Sequence, residues 1–115
     1  MEFFQYQIKH NSNTAIFDFA LVKNIEPADL QKMILPDPVK EGLASKCVVL
    51  SGRGPIWLYG MLIHHFHPCK AVAVFDPRLE GAVVVESHSQ EFKVGDVIPM
   101  VYHELVEEEL NKEGL

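Results

Sequence analysis

The sequence is short of cysteine, of cations and of long apolar runs, and each shortage closes off a class of protein. Only Cys47 and Cys69 are present among 115 residues. Small secreted scaffolds stapled by disulfides carry four or more. Both cysteines flank apolar runs, so the sequence predicts two buried thiols in a reducing compartment. Ten lysines and arginines stand against sixteen aspartates and glutamates, a formal charge of −6. Domains that grip long nucleic acid through their overall field are usually basic. An anionic ligand would therefore have to be compact and held by a few local donors. No apolar segment approaches the ~20 residues that cross a bilayer. The opening MEFFQYQIKH also lacks the basic-then-apolar order of a signal peptide. The expectation is a cytoplasmic protein with no membrane attachment.

What is present suits one globular domain over residues 1–115: 48% hydrophobic and 23% charged, an ordinary balance for a packed core. The acidity is partly local, with Glu107, Glu108, Glu109 and Glu113 clustered near the end, which reads as a solvated face. Alternation and aromatic enrichment predict a strand over Phe3 to Ile8 and a second over Thr14 to Val22. Asn11-Ser12-Asn13 turns between them. Pro27 opens a first helix that must end before Pro36. Lys46 to Leu50 is a β-branched strand, Pro55 begins a second helix that runs from Ile56 to Phe66, and Pro68 stops it. Ala71 to Phe75, Ala82 to Glu86 and Val97 to Leu105 complete the strands. The order β-β-α-β-α-β-β-β predicts an α+β or α/β domain, a single mixed sheet carrying two helices, ferredoxin-like or CARF-like. Its strand-helix-strand unit from Cys47 to Val74 makes those two strands parallel.

Three stretches carry residues capable of chemistry. Ser51-Gly52-Arg53-Gly54-Pro55 joins a strand to a helix start, where unpaired N–H groups and a positive dipole end attract anions. Its glycines admit a phosphate close to the backbone and Arg53 can fork onto the oxygens; equally, the glycines can serve only the sharp turn. His64, His65 and His67 end the second helix, with His64 and His67 about 60° apart on one face. That i, i+3 pair suits a metal or proton transfer, or the imidazoles can simply cap a helix C-terminus. Asp76-Pro77-Arg78 follows a strand at the edge where open α/β sheets gather ligands. Asp76 can hold a metal or orient a nucleophile and Arg78 can meet phosphate charge; alternatively this is turn chemistry.

The second helix runs antiparallel to its flanking strands, about 20 Å from Pro55 to His67. The histidines, with His88 at the end of the Ala82 strand, therefore fall at the sheet edge opposite Ser51, Arg53, Asp76 and Arg78. If the two edges share a reaction, subunits must stack edge to edge, head to tail.

The strings SGRGPIWL (51–58), HHFH (64–67), AVFDPRL (73–79) and VVVESHS (83–89) resemble the third family of CRISPR-associated ring nucleases. The resemblance implies small dimers acting in type III CRISPR defence. Two dimers sandwich cyclic tetra-adenylate, as a tetramer or as part of a filament, and cleave it with manganese or another divalent cation. It implies that Ser51, Gly52, Arg53 and Gly54 bind the phosphates, and that His67 and Asp76 lead the catalytic set with Arg78 assisting. Asp76, His64 and His88 are then the metal-ligand candidates. Glu80 departs from the family's pattern as an extra residue before Gly81, at the lip of the site. Two further activities share this resemblance or this site: a manganese-dependent 3′ exoribonuclease on adenylate-rich single-stranded RNA, and a non-catalytic sensor of cyclic oligoadenylates.

Overall fold

The computed structural model describes residues 3–100. Six strands form one sheet whose spatial order follows the chain. β1 (Phe4–His10) and β2 (Thr14–Leu21) make an antiparallel hairpin. Its turn is closed by the Asn11 N–H donating to the Thr14 carbonyl at 2.8 Å. β3 (Cys47–Ser51) lies parallel to β2, and β4 (Ala71–Asp76) parallel to β3. β5 (Gly81–Ser87) and β6 (Val97–Pro99) return antiparallel. This is the single mixed sheet with two helical connections that the residue pattern predicts. The three parallel neighbours sit side by side, without the inserted strand that splits a ferredoxin-like sheet.

The first helix differs from expectation. Pro27–Lys32 is a 3₁₀ segment, and Met33 is already extended at φ −73°, ψ 132°. Six residues are too few to repay α-helix nucleation. The connection is fixed instead by local turns: the Asp29 carboxylate accepts the Glu26 N–H at 2.8 Å, and the Leu43 N–H reaches the Pro38 carbonyl at 2.8 Å. The hydrogen bond from Glu26, followed by nearby Lys23 and Lys32, holds the Asp29 carboxyl below the usual carboxylate range.

The second helix, α1, spans Ile56–His65 with Pro55 as its N-cap rather than its first helical residue. Leu58, Leu62 and Phe66 recur at four-residue spacing and are fully buried. Each such side chain contributes about 1.5–3 kcal/mol of burial. They pack with Phe17, Val48, Leu50 and Val72 on one face of the sheet. The other face is a second, smaller-residue core of Ile16, Val49, Ala73 and Val84, onto which Phe92 folds from the segment after β5. Cys47 and Cys69 are buried and unbridged, and burial pushes both thiols up to about 11. They are inert packing groups at neutral pH.

The expected last strand shortens to Val97–Pro99, and its remainder from residue 101 lies outside the described residues, as do Glu107, Glu108, Glu109 and Glu113. Among the described residues no helix is long and apolar enough to cross a membrane.

Candidate functional site

The parallel arrangement of β2, β3 and β4 brings their C-terminal ends to one edge of the sheet. There the chain leaves β3 through Ser51-Gly52-Arg53-Gly54. Ser51 is buried and Arg53 exposed. Gly52 sits at φ +155°, and a Cβ there would overlap the Phe19 carbonyl and come within 2.8 Å of its ring. A Cβ on Gly54 would reach within 2.8 Å of Leu58 Cδ2. Gly52 is thus required by the close approach of β2, while Gly54 lies against the movable end of the Leu58 side chain. Tyr59, one turn into α1, donates its hydroxyl proton to the Gly52 carbonyl and pins the loop from below.

Asp76 closes β4 on the same edge. Its carboxylate accepts the Arg78 N–H at 2.9 Å and lies 3.4 Å from the Arg78 guanidinium. The Arg78 side chain beside it, and then the Arg78 N–H, hold the Asp76 carboxyl below the usual carboxylate range. Arg78 itself is 89% exposed. It gives up little solvation here and can turn to an incoming anion. Glu80 adopts the left-handed conformation at φ +48°, where non-glycine residues are uncommon. Glu80 is thus the strained position of this turn, between the Arg78 segment and β5. Between this loop and β1 and β2 lies a cavity of about 970 Å³, lined by Tyr6, Gln7, Asp18, Ser51, Arg53 and Phe75 among others. Gln7, Asp18 and Ser51 lie in one register row across three strands.

The opposite edge carries imidazoles. His67 falls just beyond α1, its N–H bonded to the His64 carbonyl at 3.2 Å. Its Nδ1 is 2.7 Å from Glu86 Oε1. An ionised carboxylate only accepts, so Nδ1 is the donor in this contact, and in the neutral tautomer that makes it Nε2 is left as the acceptor. His88 packs edge-on to His67 with centroids 4.8 Å apart and directs Nε2 to the His67 carbonyl at 3.0 Å. One donor atom from each of His67, Glu86 and His88 lies within 4.8 Å of the others.

A bulge assembles this group. Val72 pairs with Glu86 but Ala73 pairs with Val84, so Val85 is an extra residue in β5. Side chains alternate along a strand, and one added residue reverses which face follows. Val84 faces the second core. Past the bulge, Glu86 shares the face of Val72, which packs with the α1 residues. Glu86 and His88, two apart, thereby meet His67.

The family model for CRISPR-associated protein (Cas_csx3) matches residues 18–99, a span holding both edges. The chain belongs to this Cas_csx3 family. It is also 58% identical over 90 residues to an uncharacterized protein of Aquifex aeolicus (strain VF5), across 78% of this chain and 81% of that one.

Within the Cas_csx3 sheet, the residues singled out from sequence fall into two groups. Ser51, Gly52, Arg53, Gly54, Asp76 and Arg78 share one edge; His67 and His88 share the other. The length of β4 separates Asp76 from the imidazoles by about 17 Å of strand. Asp76 and His88 therefore do not meet in one chain. His64 does not join the cluster either. The i, i+3 face on which it was expected to meet His67 fails because α1 ends at His65, which leaves His67 on a turn outside the helix. His65 is tied to the Pro36 carbonyl at 2.7 Å. Glu86 was not anticipated. The signal available was the Glu-x-His spacing of residues 86–88 in a strand, which places both on one face, but the bulge that selects that face is not readable.

Two imidazoles and a carboxylate form a mixed nitrogen and oxygen donor set that accepts manganese and other divalent transition ions. By donor type the group is compatible with a divalent metal.

Proposed function

We propose that this chain is a metal-dependent phosphodiesterase that opens cyclic tetra-adenylate, its active site completed where stacked dimers bring the two edges together. The observation that carries this reading is the division of labour across the sheet. The glycine loop, Asp76 and Arg78 occupy one edge and His67, Glu86 and His88 the other, so only together do they pair phosphate donors with a proton acceptor. Membership of a CRISPR-associated family supports it, as does the match of the quoted strings to ring nucleases.

The loop of Ser51, Gly52, Arg53 and Gly54 holds the phosphates through backbone N–H groups and the Arg53 fork. A ribose 2′-OH attacks the adjacent phosphorus, forming the 2′-O–P bond as the P–O5′ bond breaks. His67 of a stacked subunit takes the 2′ proton on its free Nε2, with Glu86 steadying the ring and the imidazolium that results. The 5′-oxygen leaves and takes up a proton from water, and a 2′,3′-cyclic phosphate remains. Arg78 meets the charge developing on the non-bridging oxygens. Asp76, kept ionised by Arg78, accepts a hydrogen bond and orients the attacking sugar. A divalent ion held by His88 with Glu86 would supply further charge neutralisation.

The test is a product assay on cyclic tetra-adenylate with manganese and with a chelator. Linear products that appear with manganese and vanish without it are expected. Faster degradation of linear adenylate RNA than of the ring would instead favour an exoribonuclease. Tight binding without any product would favour a sensor.

A further inference from the structure

The end of β2 and the residues after it, 21–25, line a surface beside the glycine loop. Between them and the first turn of α1 lies a second hollow of about 540 Å³, within the size range of small-ligand sites. Leu21 and Arg53 line both this hollow and the larger cavity, so the two adjoin. Trp57 forms one wall, with Lys23, Asn24 and Arg53 around it. Trp57 belongs to neither apolar core and is 37% exposed. Burial of α1 is carried by Leu58 and Leu62, while more than a third of Trp57 stays open beside this hollow. The Lys23 ammonium rests 5.3 Å from the centre of the Phe3 ring, which keeps a cation at this rim.

We propose that this hollow is a purine subsite that deepens the ring-nuclease reading, on which it rests: an adenine base of the ligand stacks on Trp57. An aromatic plane beside cations is how proteins hold unpaired bases. Arg53, shared by both hollows, bridges the base to its phosphate, and Lys23 attends the neighbouring phosphate. The Asn24 amide offers the donor and acceptor pair that matches the adenine N7 and N6 edge. The cavity next to Ser51 thus takes the phosphate ring, and the outer hollow gives the site its preference for adenylate.

Trp57 is the chain's one tryptophan, so its emission reports on this hollow alone. The probes are cyclic tetra-adenylate, linear tetra-adenylate and linear tetra-uridylate, titrated with manganese into full-length His67→Ala protein, whose substitution lies at the far edge. Both adenylates should change the emission saturably, and the uridylate should bind about ten-fold more weakly or less still. In protein otherwise wild type, Trp57→Ala should raise KM for the ring about ten-fold, the loss expected on removing one stacking partner. Its kcat should hold, and Trp57→Phe should recover most of the affinity. Asn24→Ala should narrow the preference for adenylate over uridylate. Emission that no adenylate moves, equal responses to adenylate and uridylate, or an unchanged KM in Trp57→Ala would overturn the subsite. Ring cleavage without an emission change removes the subsite and leaves the nuclease reading. A saturable adenylate response with no cleavage by the wild type does the reverse.

Discussion

The two edges of this sheet are built in opposite ways. The glycine edge is local: Asp76 finds its partner two residues on in Arg78, and the glycine loop is one unbroken run from Ser51 to Gly54. The imidazole edge is assembled at long range. His67 meets Glu86 across 19 residues and His88 across 21, and only because a bulge in β5 turns both toward it. A local edge keeps its geometry as long as its turn does. A long-range edge depends on strand register and on the end of a helix, so small changes there should disturb chemistry more than fold.

The largest effect that separates the edges should come from removing one lead residue from each. His67→Ala and Asp76→Ala should each slow ring opening by about 10²–10⁴-fold, the range for loss of a positioned acid–base or orienting group, with thermal melting little changed. A variant of either residue that keeps full turnover in the product assay would remove that edge from the reaction. Glu86→Gln should be milder. It keeps the hydrogen-bond acceptor and loses the charge that steadies the His67 imidazolium, a positioning effect of about 10–100-fold. The loss should fall on kcat with KM held. A drop in thermal melting that accounts for the lost rate would make Glu86 merely structural.

The smallest effect concerns Asp76 alone. Arg78 depresses its pKa in the folded state. Ionised Asp76 therefore adds stability that is fully present above the ordinary aspartate value of 3.8 and fades as pH falls through the lower folded value. Arg78→Ala should return the carboxyl titration, followed by NMR, upward toward that ordinary value. No movement would mean the Arg78 contact does not hold the charge.

How much of this was legible in the sequence follows from the same division. The hairpin, the parallel crossover through α1 and the glycine loop are each encoded by neighbouring residues: a turn triplet, a β-branched run, Pro55 and Pro68 as punctuation. The separation of His67 from Asp76 followed from helix and strand lengths alone, and the sheet keeps it. The 3₁₀ form of Pro27–Lys32 was not legible, since its apolar residues fit either helix. Glu86 was missed because a one-residue bulge leaves no mark in a run of valines. The pairing of His64 with His67 was read from helix periodicity carried two residues beyond His65, where α1 stops.

The most direct test of the central claim is complementation. Asp76→Ala and His67→Ala protein, each inactive alone, are mixed under conditions where subunits exchange, and ring opening is measured. Stacked mixtures pair an intact glycine edge with an intact imidazole edge, so part of the wild-type rate should return. Proven exchange with no recovery would contradict an active site shared between subunits.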